Sequence, residues 1–218
     1  SDRHGSMREL ARFYLKKDGV STRDFLAYYQ NLWESESPTI GVVLGLGEVG
    51  EEGDAVAIRP LLVHSRAEMR RAAWKAIANI KPENLRAIAL EKLKQDTPSV
   101  VKEIRNFILK HFVYYTISDL WEIFESTDRP IVKICIISFT EKISKWQSIW
   151  YLLKASQETS PKIHAIIEQR LNSWLFSFNR SFTQPTKEEI LQIRQQISKS
   201  PLNKDLLGQL TQIIATHQ

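Results

Sequence analysis

Three basic side chains, Arg71, Lys102 and Lys133, stand 31 residues apart, and His164 continues the series at the same interval. Residues repeated at a fixed interval of this size fall into one file when the units that carry them stack. A file of cations can grip phosphates or an acidic protein surface. It can equally be neutralised by carboxylates within the fold. Trp74 and Arg105 share the 31-residue interval and lie one helical turn along from Arg71 and Lys102. An aromatic ring among cations suits base stacking or a protein hot spot. The next term after Arg105 is Ile136, where the second file turns apolar. Lys75 follows Arg71 by one turn, and Arg66, Arg70 and Lys110 add charge nearby. The binding residues expected from this pattern are Arg71, Trp74, Lys75, Lys102, Arg105 and Lys133.

Other reactive residue types form no constellation. The five histidines, His4, His64, His111, His164 and His217, match no metal-ligand spacing, and a single cysteine, Cys135, forms no thiolate cluster. Cys135 falls at a core position and reads as a small apolar residue. Gly45-Leu46-Gly47-Glu48-Val49-Gly50 matches G-x-G-x-x-G, but it closes a helix instead of opening one after a strand. Helix termination and close helix packing explain it better than a dinucleotide site. No phosphate-binding lysine loop and no nucleophile elbow occurs. Asn179-Arg180-Ser181 fits a glycosylation sequon without a secretory context. No catalytic residue, metal ligand or cofactor is expected.

The elements that must position the basic file are helices. Segments headed by Met7, Pro38, Met69, Val100 and Ile131 recur every 31 residues, and a sixth, headed by Ile163, comes one residue late. Val42, Ala73, Ile104 and Cys135 share one repeat position; Leu46, Ile77, Ile108 and Phe139 share another, four residues on and on the same helix face. Between these segments run other helices with their own register, including Leu85, Ile117 and Ile149. Helix pairs of this size bury their apolar faces only by stacking on one another. Gly19 ends the first helix, Ser21 and Asp24 form a capping box, Pro38 opens a helix, and Pro60 bends the helix over 54–63. The pattern divides the chain into a repeat array over 1–176, beginning within a repeat, and a linker with two C-terminal capping helices over 177–218. An array that begins within a repeat is expected to be a fragment of a longer protein. Aromatic residues on the intervening helices, among them Tyr114, Tyr115, Trp121, Phe124, Trp146, Trp150 and Tyr151, have the spacing of a core.

Composition excludes few classes. The chain is 43% hydrophobic and 25% charged, too apolar for a disordered segment. It has no apolar run long enough for a membrane span, and its lone cysteine fits a reducing cytoplasm. The net charge is +5, and residues 51–112 carry 12 Lys and Arg against 8 Asp and Glu. Such an excess permits an acidic partner without demanding one.

Leu44-Gly45-Leu46-Gly47-Glu48-Val49-Gly50 with Asp54-Ala55-Val56, and Asp96-Thr97-Pro98-Ser99-Val100-Val101-Lys102, resemble the HEAT-repeat family, in the short variant of bilin-lyase-like and bacterial proteins. The resemblance covers about Met7 to Arg170. It implies an all-α fold, a right-handed α-solenoid of antiparallel helix pairs whose second helices line a concave face. It also implies a ladder in which an Asp six residues before the basic residue pairs between neighbouring repeats. Asp96 and Lys102 keep that spacing, whereas Ser65 and Thr127 stand where Arg71 and Lys133 would need a carboxylate. Most such arrays are noncatalytic binding scaffolds, so a protein partner with an acidic surface is the first expectation. The alternative is nucleic-acid binding, as in HEAT-like DNA alkylation glycosylases, for which Asp119 with Trp121 is the nearest acidic and aromatic pair. The Trp-x-x-x-Asp arrangement of those enzymes is absent.

Overall fold

A computed structural model describes residues 2–35, 38–178 and 183–217, and every regular element among them is helical. The sequon at Asn179–Ser181 lies outside the described residues. The chain divides into two compact units, Ser1–Lys110 and His111–Gln218.

The first unit contains α1 (Gly5–Lys17), α2 (Thr22–Ser35), α3 (Ile40–Val49), α4 (Glu52–Ile58), α5 (Ala67–Ile80), α6 (Leu85–Gln95) and α7 (Pro98–Lys110). Helices α2, α4 and α6 each pack on the helix that follows, and α1, α3, α5 and α7 neighbour one another in that order. Local chemistry sets the ends. Ser21 N donates to Asp24 Oδ2 at 2.7 Å and Asp24 N to Ser21 Oγ at 3.3 Å, closing the expected capping box. Gly19 leaves α1 at φ +89°, the left-handed conformation that favours glycine. Pro38 stands just outside α3; Thr39 is its N-cap, accepting from Val42 N. Pro60 does more than bend a helix. It sits in a separate 3₁₀ turn, Arg59–Val63, because proline cannot supply the amide that would carry α4 onward.

Helix α5 shows how the core forms. Met69, Ala72, Ala73, Trp74, Ala76, Ile77 and Ala78 are buried, an arc wide enough to meet α3, α4 and α7 together. Small residues on α3 let it approach closely. A Cβ on Gly47 would stand 2.3 Å from Ala76 Cα, and one on Gly45 would stand 2.2 Å from the Tyr29 ring. The glycine motif therefore serves helix packing inside a helix, as its context predicts.

The second unit contains α8 (Ile117–Ser126), α9 (Pro130–Ser138), α10 (Lys145–Ala155), α11 (Pro161–Ser177), α12 (Lys187–Lys199) and α13 (Lys204–Ala215). Helices α8, α10 and α12 pack on their successors, α9 neighbours α11, and α11 neighbours α13. The two C-terminal helices thus take places in the same order as those before them. The helix expected over 129–143 tightens at Phe139–Lys142 into a 3₁₀ turn. Tyr115, Trp121, Phe124 and Trp146 are buried, as a core requires, while Tyr114 is exposed in a 3₁₀ turn. Cys135 is buried and reduced.

Candidate interaction surface on α5 and α7

The exposed residues of α5 and α7 run in parallel stripes. Arg71, Lys75 and Asn79 are exposed on α5, and Lys102, Asn106 and Lys110 are exposed on α7. Within each stripe the spacing is four residues, which holds one helix face, and between stripes it is 31. Lys75 Nζ reaches Glu103 Oε1 at 3.1 Å, tying the two helices across their exposed edge. Arg105, half-buried, donates from Nη2 to Asn106 Oδ1 at 2.8 Å. Arg71 and Lys102 have no hydrogen bond or ion pair among the described residues. Lys110, left out of the expected binding set, belongs here; its place eight residues after Lys102 signals it.

The ladder expected within the fold exists, shifted by one residue. Asp96 Oδ1 accepts from Arg70 Nε at 2.9 Å, with side chains 4% and 15% exposed. Arg70 also donates from Nη1 to the carbonyls of His64 at 2.7 Å and Ser65 at 3.0 Å. In the second unit, Lys133 Nζ lies 2.7 Å from Glu158 Oε1 and 5.2 Å from the centroid of the Phe124 ring. Glu158 is 62 residues after Asp96, two repeat intervals, and Thr127 falls midway between them. A carboxylate in this register takes up a cation. At Thr127 the register holds a hydroxyl, and its Oγ1 accepts from Arg129 N at 3.2 Å.

Three expectations change accordingly. Lys133 is buried and committed to Glu158, so it is a structural cation. Trp74 is 1% exposed, with its ring edge-on to Phe107 at 5.4 Å, so it is core. Arg70, read as one more surface charge, is an interior ion-pair partner. The pair proposed for base excision dissolves as well. Asp119 accepts from Thr116 N at 3.3 Å and closes the capping box of α8, and Trp121 is buried against Phe124. Among the described residues no group of three His, Cys, Asp or Glu side chains is placed to hold a metal ion, and no helix is long and apolar enough to cross a membrane.

The remaining surface holds Arg71, Lys75, Lys102, Arg105 and Lys110 with Glu103 among them. Its long side chains stand on helices fixed by Trp74, Ala73, Ile77, Ile104 and Ile108 beneath. Cations on a rigid base bind carboxylates or phosphates with little ordering cost beyond their own rotamers. No protein-family model, curated protein or solved structure matches the chain.

Proposed function

We propose that the chain is a noncatalytic, cytoplasmic binding scaffold, a right-handed α-solenoid of HEAT-like helix pairs, whose α5–α7 face receives an acidic segment of a partner protein. The neighbour order of the helices in each unit supports the stacked-pair reading. The observation that carries the binding surface is the contrast within the basic file. Where the ladder offers a carboxylate, Arg70 and Lys133 are bound to it; Arg71 and Lys102 are exposed and bound to none. An acidic protein segment suits this face better than nucleic acid. Glu103 stands among the cations, and the aromatic ring needed for base stacking, Trp74, is buried beneath them.

The test is fluorescence anisotropy with a labelled acidic peptide and, separately, a short DNA duplex. The double reversal Arg71→Glu with Lys102→Glu is expected to weaken peptide binding by about tenfold, equivalent to ~1.4 kcal/mol. Equal binding by wild type and the double variant would overturn the proposed face. Preference for the duplex, with affinity falling steeply in salt, would replace the protein partner by nucleic acid.

A further inference from the structure

The second unit contains a groove of about 760 Å³ between α9, the Phe139–Lys142 turn, α10 and α11. Its volume is that of a small-molecule site. Two cations line it, Lys145 and Arg170, together with the hydroxyl-bearing Ser148, Ser173 and Ser177 and the ring of Trp174. Lys145 opens α10 and is only partly exposed. Its Nζ donates to the Phe178 carbonyl at 2.6 Å and lies 3.8 Å from the Phe178 ring centroid, 5.4 Å from Trp146 and 5.5 Å from Trp174. Three aromatic rings displace water from this amine. Trp174 is itself fixed, its Nε1 donating to the Lys145 carbonyl at 3.0 Å, so lysine and cage are held as one piece. Arg170 is anchored at the same groove by Glu141, 2.5 Å away.

We propose that Lys145 is a reactive amine that forms a Schiff base with a small aldehyde bearing an anionic group, the anion lying against Arg170. The chemistry needs no further reagent. The neutral amine nitrogen attacks the carbonyl carbon, the C–N bond forms, and the carbonyl oxygen becomes a hydroxyl. Loss of water, with both amine protons leaving on oxygen, gives the C=N bond. A lysine becomes nucleophilic when burial disfavours its ammonium. Burial holds Lys145 below the ordinary lysine range. This site is independent of the α5–α7 surface and stands or falls without it.

Pyridoxal 5′-phosphate, used as an aldehyde probe carrying a phosphate, tests the proposal on the full chain. After borohydride reduction, peptide mass spectrometry is expected to find the adduct on Lys145 at concentrations that leave exposed lysines unmodified. Its formation is expected to persist to lower pH than adducts at Lys162 or Lys187. Lys145→Arg, with unchanged circular dichroism, is expected to remove this adduct. Arg170→Gln is expected to weaken labelling by the phosphate-bearing probe about tenfold and leave labelling by neutral propionaldehyde unchanged. An adduct spread evenly over exposed lysines would overturn the reactive amine. An equal effect of Arg170→Gln on both probes would overturn the anion subsite.

Discussion

Arg70, and not its neighbour Arg71, holds Asp96, with Nε 2.9 Å from Oδ1 and both side chains largely buried. Two adjacent arginines on one helix therefore have opposite fates. The side chain at 70 turns toward the following loop and becomes part of the fold. The side chain at 71, about 100° further round the helix, faces solvent. Arg70→Ala strands a buried carboxylate and is expected to cost about 3 kcal/mol in urea unfolding, since removing one partner of a buried pair costs more than the pair contributes. Arg71→Ala is expected to stay within about 0.5 kcal/mol of wild type, as exposed substitutions do. Equal losses for the two variants would refute this division.

Lys133 supplies the corresponding control in the second unit. Its aliphatic stem is buried and its ammonium meets Glu158, which is 30% exposed and able to rehydrate. Lys133→Met keeps the stem and is expected to cost only about 1 kcal/mol, near the value of a partly exposed ion pair. It is also expected to leave acidic-peptide binding unchanged in the anisotropy assay. Loss of binding in this variant with stability intact would return Lys133 to the binding surface.

The close approach of α3 and α5 rests on Gly47. A methyl group there would stand 2.5 Å from the Ala76 Cβ and 2.3 Å from its Cα, and neither belongs to a flexible side chain that can swing away. Gly47→Ala brings a gain in helix propensity of up to about 1 kcal/mol. The overlap outweighs it, because inserting volume into a packed contact costs about 1–3 kcal/mol or more. A net loss near 2 kcal/mol is expected in urea unfolding. Gly53→Ala, where nothing lies within 4 Å, is expected to cost nothing or to stabilise slightly. A stable Gly47→Ala variant would mean that the helices slide apart cheaply.

What could be read from the chain divides along physical lines. Core positions at Ala73, Ile77, Ile104 and Ile108 were legible because burial follows helical period, and all four are below 1% exposure. The Ser21–Asp24 box and Gly19 were legible because caps act over a few residues. Trp74 was misread because residue type alone does not tell an aromatic anchor on a surface from one beneath it. The choice between Arg70 and Arg71 was not legible either: both lie within reach of the following loop in sequence, and only the rotation of α5 selects one. The two-interval spacing of Asp96 and Glu158 was present in the chain and points to the ladder. Lys145 carried no signal of its own, since its cage comes from Trp174 and Phe178, about 30 residues away.

One surface ion pair predicts an acid-side effect. Lys154 Nζ lies 2.5 Å from Glu125 Oε1, and Trp121 Nε1 donates to the same oxygen at 3.1 Å. The hydrogen bond from Lys154 is the largest influence on the Glu125 carboxyl; with the lysine's charge and the Trp121 bond it outweighs burial and lowers the pKa from 4.5. A carboxyl whose folded pKa lies below its unfolded value binds fewer protons in the native state. Its contribution to stability is complete above the unfolded pKa and is lost as pH falls through the folded one. Glu125 is half exposed, so the contribution at neutral pH is expected to stay below about 1 kcal/mol after solvent screening. Glu125→Gln keeps an acceptor for Trp121 and removes only the charge. Urea unfolding of wild type and variant is expected to show a small gap at neutral pH that closes below pH 4.5 and shrinks in high salt. A gap that persists unchanged into acid would show that the lost interaction is packing or hydrogen bonding and not charge.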